Sequence, residues 1–289
     1  MRRAINIAQD LNQIHTVEDL TQVFESIASI RISKIRNRVV ASKAFFAELW
    51  QTYSGLRIDH NQRLTGKNDA ARKDKSVFVV VTSEGSLSGA IDEEIVTTML
   101  EDYSKVAPDT TDIVVLGSHG MAQLKQRTIP ITKAFNMPAS DSSFSVTDII
   151  ETLSQYKRIS VFYQTYESLR LQKVARIELL AAVKDLGEDV EGGGEVVSSR
   201  DYIFEPSVDE IADYLESVMM GVALIQVIME SKLAQYAARF NAMNSAKHRA
   251  SELVTDYNLQ YHRAKRAEGD ERLKEIIKVV HQHQKGLAS

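Results

Sequence analysis

The sequence predicts an α/β protein in which two long terminal helices form an antiparallel coiled coil around an inserted Rossmann-like domain. Neither residues 1–107 nor residues 207–289 contain proline, which suggests a long uninterrupted helix at each end of the chain. Apolar residues recur at steps of three and four at both ends, and short apolar runs alternate with helical spacing between them. We therefore expect an N-terminal coiled-coil helix in 1–70, an α/β domain in 71–206 and a C-terminal coiled-coil helix in 207–289.

The N-terminal helix is predicted to begin at Val17, with Thr16 as its cap and Asp19 at the third helical position. Two successive steps of four around Ala28 predict a local stutter that relaxes the supercoil. The predicted seam consists of Val17, Thr21, Phe24, Ala28, Ile32, Ile35, Val39, Ser42, Phe46, Leu49, Tyr53 and Leu56.

The C-terminal helix is predicted to run from Val208 to about His281, with Ser207 as its cap and Glu210 as the capping-box partner. A single domain of a 289-residue chain is too small to bury a helix of this length. We therefore expect the two terminal helices to pair with each other. The methionines fit packing positions better than a cofactor site. The predicted seam consists of Leu215, Val218, Val222, Ile225, Met229, Leu233, Tyr236, Phe240, Met243, Ala246, Ala250, Leu253 and Tyr257.

The middle of the chain alternates between strand and helix patterns, which favours a largely parallel sheet covered by helices. Helical spacing is found in 88–105 and around 149–153, and the polar stretch 184–200 is interpreted as a flexible loop. The predicted strands are 77–82, 112–118, 129–135, 158–166 and 173–181, with the last two forming a hairpin.

Composition excludes several classes of protein. The chain has 289 residues, 44% hydrophobic residues, a net charge of −4 and no cysteine, so disulfides and thiolate metal sites are excluded and a dedicated nucleic-acid binder is not indicated. The most apolar stretch, 218–229, is shorter than the roughly 20 residues of a membrane span. We expect no direct membrane insertion.

The segment "VVVTSEGSLSGAID" at 79–92 has the look of a phosphate-binding loop, but its chemistry argues against one. Gly85 and Gly89 are followed by no third glycine at a dinucleotide spacing and by no lysine, and Asp92 begins an acidic run that repels phosphate. His119 has no serine, cysteine or metal ligand at a useful spacing. We predict a structural turn, and no catalytic, cofactor or metal site.

The whole chain resembles the gamma subunit of F-type ATP synthases in one collinear order. The stretch "ESKLAQYAARFNAMNSAKHRASELVTDYNLQYHRAKRAE" (230–268) is similar to that family's C-terminal helix signature. "SEGSLSGAID", "DIVVLGSHG" and "DYIFEPS" resemble its inner segments, although Ser88 stands where the family usually has cysteine. Thr21, Ala28 and Arg31 match its N-terminal helix.

The resemblance implies a non-catalytic rotor shaft without a cofactor. Its expected partners are the ring of three α and three β subunits, an epsilon- or delta-type stalk subunit and the c-ring. Its expected location is peripheral, on the cytoplasmic side of the membrane. Rotation of an asymmetric shaft couples the catalytic sites because different faces of the shaft stabilise different β-subunit conformations.

Residues 31–75 are strongly basic, with eleven Lys/Arg and four Asp/Glu, and Arg31, Lys34 and Arg38 lie on the predicted shaft. A nucleic-acid face or a solvated helix face would fit the charge alone. The resemblance favours a protein partner, because the family's basic shaft residues meet an acidic loop of β.

The C-terminal segment departs from the family. Lys265 and Arg266 stand where the family has an arginine–glutamine contact with β, and Gly269 costs about 1 kcal/mol of helix stability relative to alanine. This leaves a paralogous F-type ATPase used for hydrolysis in another motor task as an alternative. A nucleotide-binding α/β enzyme and a helical adaptor or nucleic-acid-binding rod also stay open at this point.

Overall fold

The computed structural model describes residues 4–55, 73–85, 90–137, 146–188, 205 and 207–286. Within these residues the helices are α1 (Ala4–Gly55), α2 (Ile91–Tyr103), α3 (Ser118–Gln126), α4 (Thr147–Leu153), α5 (Leu179–Glu188) and α6 (Val208–Gly286). The strands are β1 (Lys73–Val81), β2 (Thr111–Leu116), β3 (Lys133–Phe135), β4 (Tyr156–Tyr166) and β5 (Gln172–Glu178). The chain divides into two compact units, residues 1–27 with 240–289 and residues 28–239.

The five strands form one sheet in the order β3-β2-β1-β4-β5. β1 pairs in parallel with β2 and β4, β2 pairs in parallel with β3, and β4 and β5 form an antiparallel hairpin. Phe78 at the centre of β1 lies opposite Ile113 in β2 and Ser160 in β4. The predicted parallel α/β arrangement is confirmed.

Alternate residues of β1 enter two different cores, as the period of two in a strand requires. Val77 and Val79 face a core completed by α1, α4, α5 and the first half of α6. Phe78 and Val80 face a second core built with α2 and α3. Both faces of the sheet are covered, which explains why its strands read as continuous apolar runs.

Helix α1 differs from its prediction in where it begins and in which residues it buries. It starts at Ala4, and Thr16 lies inside it with its hydroxyl donating to the carbonyl of Asn12 (2.9 Å). The exposed fractions of Val17 (50%) and Phe24 (36%) show that these two predicted seam residues face outwards.

An unbroken heptad replaces the predicted stutter in α1. Because every step is three or four in strict alternation, the seam needs no local relaxation of the supercoil. The seam positions, each buried or half-buried, are 4, 7, 11, 14, 18, 21, 25, 28, 32, 35, 39, 42, 46, 49 and 53. The prediction failed because the seam passes through Glu18 and Glu25 instead of the apolar residues beside them.

Helix α6 begins as predicted. The Ser207 hydroxyl accepts a hydrogen bond from the Glu210 amide (3.2 Å), which confirms the cap. In the described part of the chain, α6 is long and apolar enough by length and composition to cross a membrane. More than half of its most apolar window is buried, and Met219, Ala223 and Leu224 contribute to the first core.

Helix α5 falls partly in the stretch predicted as a loop. Residues 184–188 are helical, whereas 189–200 lie outside the described residues. Gly187 lies directly against the indole of Trp50, and a Cβ at that position would overlap the ring. Trp50 also stacks on Phe46, with ring centroids 6.3 Å apart, so α5 is fitted closely to α1.

Candidate subunit interface

A buried carboxylate occupies the carboxyl edge of the parallel sheet, the edge at which α/β folds usually bind ligands. Asp92, in the first turn of α2, is fully buried. Its Oδ1 accepts from the Ser83 amide (3.2 Å) and the Gln164 side-chain amide (3.1 Å), and its Oδ2 accepts from the Ser83 hydroxyl. His119 Nδ1 lies 2.8 Å from Oδ2, which places the ring proton on Nδ1.

This cluster is not arranged for nucleophilic catalysis. A serine nucleophile must pass its proton to a base, usually a histidine within hydrogen-bond distance. Here the Ser83 hydroxyl and the His119 ring both donate to Asp92, so the carboxylate holds both groups. The cluster instead ties the ends of β1 and β4 to the first turns of α2 and α3.

The first turn of α3 is equally unsuited to phosphate, because its first three amides are already hydrogen-bonded within the protein. A phosphate at this point would also face the carboxylates of Glu84 and Asp92. The acceptors are Glu84 Oε2 for Ser118 (3.3 Å), Ser83 O for His119 (3.2 Å) and Thr82 Oγ1 for Gly120 (2.9 Å).

Two glycines allow these strand ends to approach each other. Gly117 has a φ of 102°, and a Cβ there would overlap the Thr82 carbonyl. A Cβ on Gly120 would overlap the Thr82 side chain. Of the Gly85–Gly89 turn only Gly85 belongs to the described residues, and a Cβ on it would lie 3.4 Å from the Arg239 guanidinium.

Sequence reasoning missed the Asp92–His119 pair because the two residues lie 27 positions apart and meet only through the sheet order. The available signal was that each follows a strand end whose partner strand is parallel. Among the described residues, no group of three or more His, Asp or Glu side chains could hold a metal ion.

A half-buried carboxyl, that of Glu230 of α6, lies near β4. Burial raises the pKa of Glu230, although the Tyr166 backbone hydrogen bond and the charge of Lys43 oppose this. Burial, together with the charge of Glu230, raises the pKa of Tyr163 to about 12.

The terminal helices pair antiparallel within the unit formed by 1–27 and 240–289. The Ala4 amide donates to Glu268 Oε1 (2.9 Å), and Lys247 Nζ lies 3.6 Å from Glu25 Oε2. The two contacts are 21 residues apart on each helix (4 to 25 and 247 to 268), which is the register of one continuous antiparallel pair.

Lys265 and Arg266 are exposed on α6 in this unit, beside the buried Ala264. Lys265 Nζ lies 5.8 Å from the centroid of the Tyr261 ring, and Arg266 Nε donates to the carbonyl of His262 (3.3 Å). Ala264 packs in a small apolar cluster with Ala4 and Ile7 of α1, so the packed and the charged faces of α6 are distinct here.

The basic residues of α1 lie beside its seam. Lys34 is exposed and Arg31 and Arg38 are half-buried, at the three- and four-residue spacing of one helix face. Of the predicted seam residues, Ile35 and Met243 are buried and Val39 and Met229 are half-buried.

Comparison with known proteins finds relatives that match this chain over more than nine-tenths of both lengths. The ATP synthase gamma chain of Chlorobium luteolum is 26% identical over 280 residues, which is 91% of this chain and 93% of the relative. That of Staphylococcus haemolyticus is 25% identical over 282 residues, covering 92% and 94%. The family model described as ATP synthase matches residues 4–280.

The chain belongs to the gamma-subunit family of the ATP synthases.

Solved structures share the fold of this gamma-family chain. A chain of the Euglena gracilis mitochondrial ATP synthase (OSCP/F1/c-ring) has a TM-score of 0.62 at 17% identity, covering 97% of this chain and 95% of its own. A chain of the Tetrahymena thermophila central stalk and c-ring has a TM-score of 0.55 at 16% identity, covering 78% and 99%. Gamma subunits are non-catalytic, so in this family member the network around Asp92 is structural.

Proposed function

We propose that this gamma-family chain is the central-stalk rotor of an F-type rotary ATP synthase or ATPase. The family match over residues 4–280 carries the proposal. The antiparallel pairing of the terminal helices supports it, because a shaft built from both ends of a chain can turn as one body. The occupied amides and buried carboxylate at the sheet edge agree with a subunit that leaves nucleotide chemistry to its partners.

In this function the chain works with α and β subunits, an epsilon- or delta-type stalk subunit and a c-ring. The Euglena structure named above contains F1 and a c-ring, and the Tetrahymena structure a central stalk and c-ring. Each orientation of an asymmetric shaft stabilises one set of β conformations, so rotation and catalysis are thermodynamically linked. We place the subunit at the membrane periphery on the cytoplasmic side, and its lack of cysteine suits a reducing compartment.

Affinity purification of the tagged full chain, followed by quantitative mass spectrometry, tests this function. We expect ATPase α- and β-type subunits in threefold molar excess over the chain. Purification of the chain alone, or with nucleic acid and no ATPase subunits, would contradict the proposal and favour the enzyme or the adaptor.

Within the rotor, we propose Lys265 and Arg266 as the contact with the β subunit. Both are exposed, and the packed face of α6 at this level is occupied by Ala264. A charge-assisted hydrogen bond from either side chain to a β carboxylate is worth about 1.5–3 kcal/mol. Arg31, Lys34 and Arg38 form a second basic face that suits an acidic loop of the same partner.

The altered contact residues favour a second candidate, a paralogous F-type ATPase that hydrolyses ATP to drive another motor task. The exposed Gly269 weakens the helix beside the contact, and a Cβ there would meet nothing within 4 Å. A measurement on lipid vesicles that carry the complex distinguishes the synthase from the dedicated hydrolase. A synthase makes ATP under an imposed ion gradient, whereas a dedicated hydrolase does not.

A further inference from the structure

A cavity of about 590 Å³ lies between α4 and the first half of α6, at the edge of the first core. All of its lining residues fall within the compact unit formed by 28–239, so the cavity belongs to one folded body. Its inner wall is apolar, and each side chain of that wall belongs to the first core or packs against it. The wall consists of Val146 and Ile150 of α4 and Val218, Val222 and Ile225 of α6.

A glycine of α6, Gly221, helps to keep this space open. Glycine inside a helix costs about 1 kcal/mol of stability relative to alanine, so its presence there usually has a packing or functional reason. A Cβ at this position would lie 3.6 Å from Val146 Cγ2 and 3.8 Å from Ile150 Cγ1, which is ordinary van der Waals contact. Close packing therefore does not require glycine here, whereas a side chain longer than a methyl group would extend into the cavity.

The exposed lining residues, which border the opening of the cavity, are aromatic and polar. Phe45 of α1 is 50% exposed and Tyr214 of α6 is 70% exposed, and Ser154 and Ser217 add hydroxyl groups. Among the described residues that line the cavity, Glu151 of α4 is the only one with a charge, and its side chain is exposed. A cation at the opening would be attracted by this carboxylate and by the faces of the two aromatic rings, whereas an anion would be repelled.

We propose that this cavity binds a small amphipathic cation, a molecule with an apolar or aromatic body and one amine. Its volume falls within the roughly 300–1,000 Å³ of small-molecule sites, which are lined mainly by apolar side chains with a few polar groups. The apolar body lies against the wall formed by α4 and α6, and the ammonium group lies at the opening beside Glu151. Because the ligand contacts both helices, its binding stabilises the folded chain.

Two dansyl probes of opposite charge test the cavity, because the dansyl group fluoresces more strongly when it is removed from water. Dansylcadaverine carries a primary amine, and dansylglycine carries a carboxylate on the same fluorophore. Each probe is titrated into the purified full chain and into the assembly that copurifies with the tagged chain. We expect dansylcadaverine to bind at one site per chain in both preparations, about fivefold more tightly than dansylglycine, as for an exposed charge pair.

Two variants locate the binding in the cavity. Gly221→Leu fills the space and should weaken the binding of dansylcadaverine at least about tenfold. Gly269→Leu is the matched control, the same substitution on the same helix, where a Cβ would meet nothing within 4 Å. Glu151→Gln changes an exposed side chain and should reduce the preference for the cationic probe to less than about twofold. Glu94→Gln, at an exposed position of α2, is its control.

The absence of saturable binding, or equal binding of the two probes by the unmodified chain, overturns the inference. Binding that a folded Gly221→Leu variant retains overturns it as well, because the probe then binds elsewhere. If that variant does not fold, Glu151→Gln decides, and an unchanged preference between the probes overturns the inference. Binding by the free chain that is lost in the copurified assembly shows that a partner covers the cavity, and this result also overturns the inference.

Discussion

The carboxylate of Asp92 accepts hydrogen bonds from four donor groups while fully buried. We expect Asp92→Asn to lower the free energy of unfolding by about 2–3 kcal/mol, because the new amide hydrogens face existing donors and leave buried groups unpaired. Denaturant unfolding measures this. Glu94→Gln on the same helix, where the side chain is exposed, should change stability by less than about 0.5 kcal/mol. Equal stability of both variants would show that the network does not hold the sheet edge together.

Glu230 predicts a pH dependence of stability. Because folding raises its pKa above the ordinary value of 4.5, the folded state binds this proton more tightly than the unfolded chain does. The resulting stabilisation is complete below pH 4.5 and is lost as the pH rises through the folded pKa. Glu230→Gln carries no ionisable group at this position, so its stability should not fall in this way as the pH rises. We therefore expect the melting temperature of the variant, relative to that of the wild type, to increase between about pH 4 and pH 7. Parallel pH profiles for the two proteins would contradict this, and Glu94→Gln is again the control.

At the scale of single residues, the sequence showed which residue types a site lacks, but it did not show which side chains contact each other in the fold. The lack of a phosphate-binding lysine after Gly89 could be seen from the spacing alone. That Ser83, Gln164 and His119 converge on one carboxylate could not, because their contact depends on β4 being placed beside β1.

At the scale of elements, the seam gives a direct test of helix pairing. Ile35→Asp and Met243→Asp each place a carboxylate where 2% and 7% of the side chain is exposed, and should cost more than about 2 kcal/mol. Val40→Asp is the matched control, since Val40 is 67% exposed on the same helix as Ile35. Thermal unfolding followed by circular dichroism measures all three. If the two seam variants have the same melting temperature as the wild type, the seam assignment is wrong.

The elements themselves were predicted unevenly, for identifiable reasons. The strands at 77–82, 112–118 and 158–166 were found because strands buried on both faces are continuous apolar runs. Helix α3 was missed because "SHGMAQLKQ" buries only Gly120 and Leu124, too few for a periodic signal. The stutter in α1 was wrong because apolar spacing identifies a face but not which neighbour covers it.

At the scale of the whole molecule, the proposed β contact predicts a change in turnover. We expect the double variant Lys265→Ala/Arg266→Ala to assemble normally, because Ala264 and the rest of the packed face are unchanged. Its ATPase rate in the complex should fall, since one charge-assisted contact of about 1.5–3 kcal/mol is lost from the working interface. An assembled variant with the wild-type rate and coupling would move the contact to the segment 268–272. Lys125→Ala/Arg127→Ala, at two exposed positions at the C-terminal end of α3 and just after it, is a control with the same change of charge.

The isolated chain is expected not to bind ATP tightly, because the first amides of α3 are occupied and carboxylates stand where phosphates would lie. Equilibrium dialysis with the purified chain measures this. Stoichiometric binding at micromolar ATP would contradict this expectation and would favour the alternative function, a nucleotide-binding α/β enzyme.

The fit between Gly187 and Trp50 makes the chain its own spectroscopic reporter. Trp50 is the only tryptophan of the sequence, and its half-buried indole packs against Phe46, Tyr53 and Gly187 of α5. Any event that lifts α5 from α1 admits water to the ring, so emission moves to longer wavelength without an attached dye. Fluorescence of the unmodified subunit thus distinguishes a local loosening at this joint from melting of the helix pair formed by 1–27 and 240–289, which contains no tryptophan.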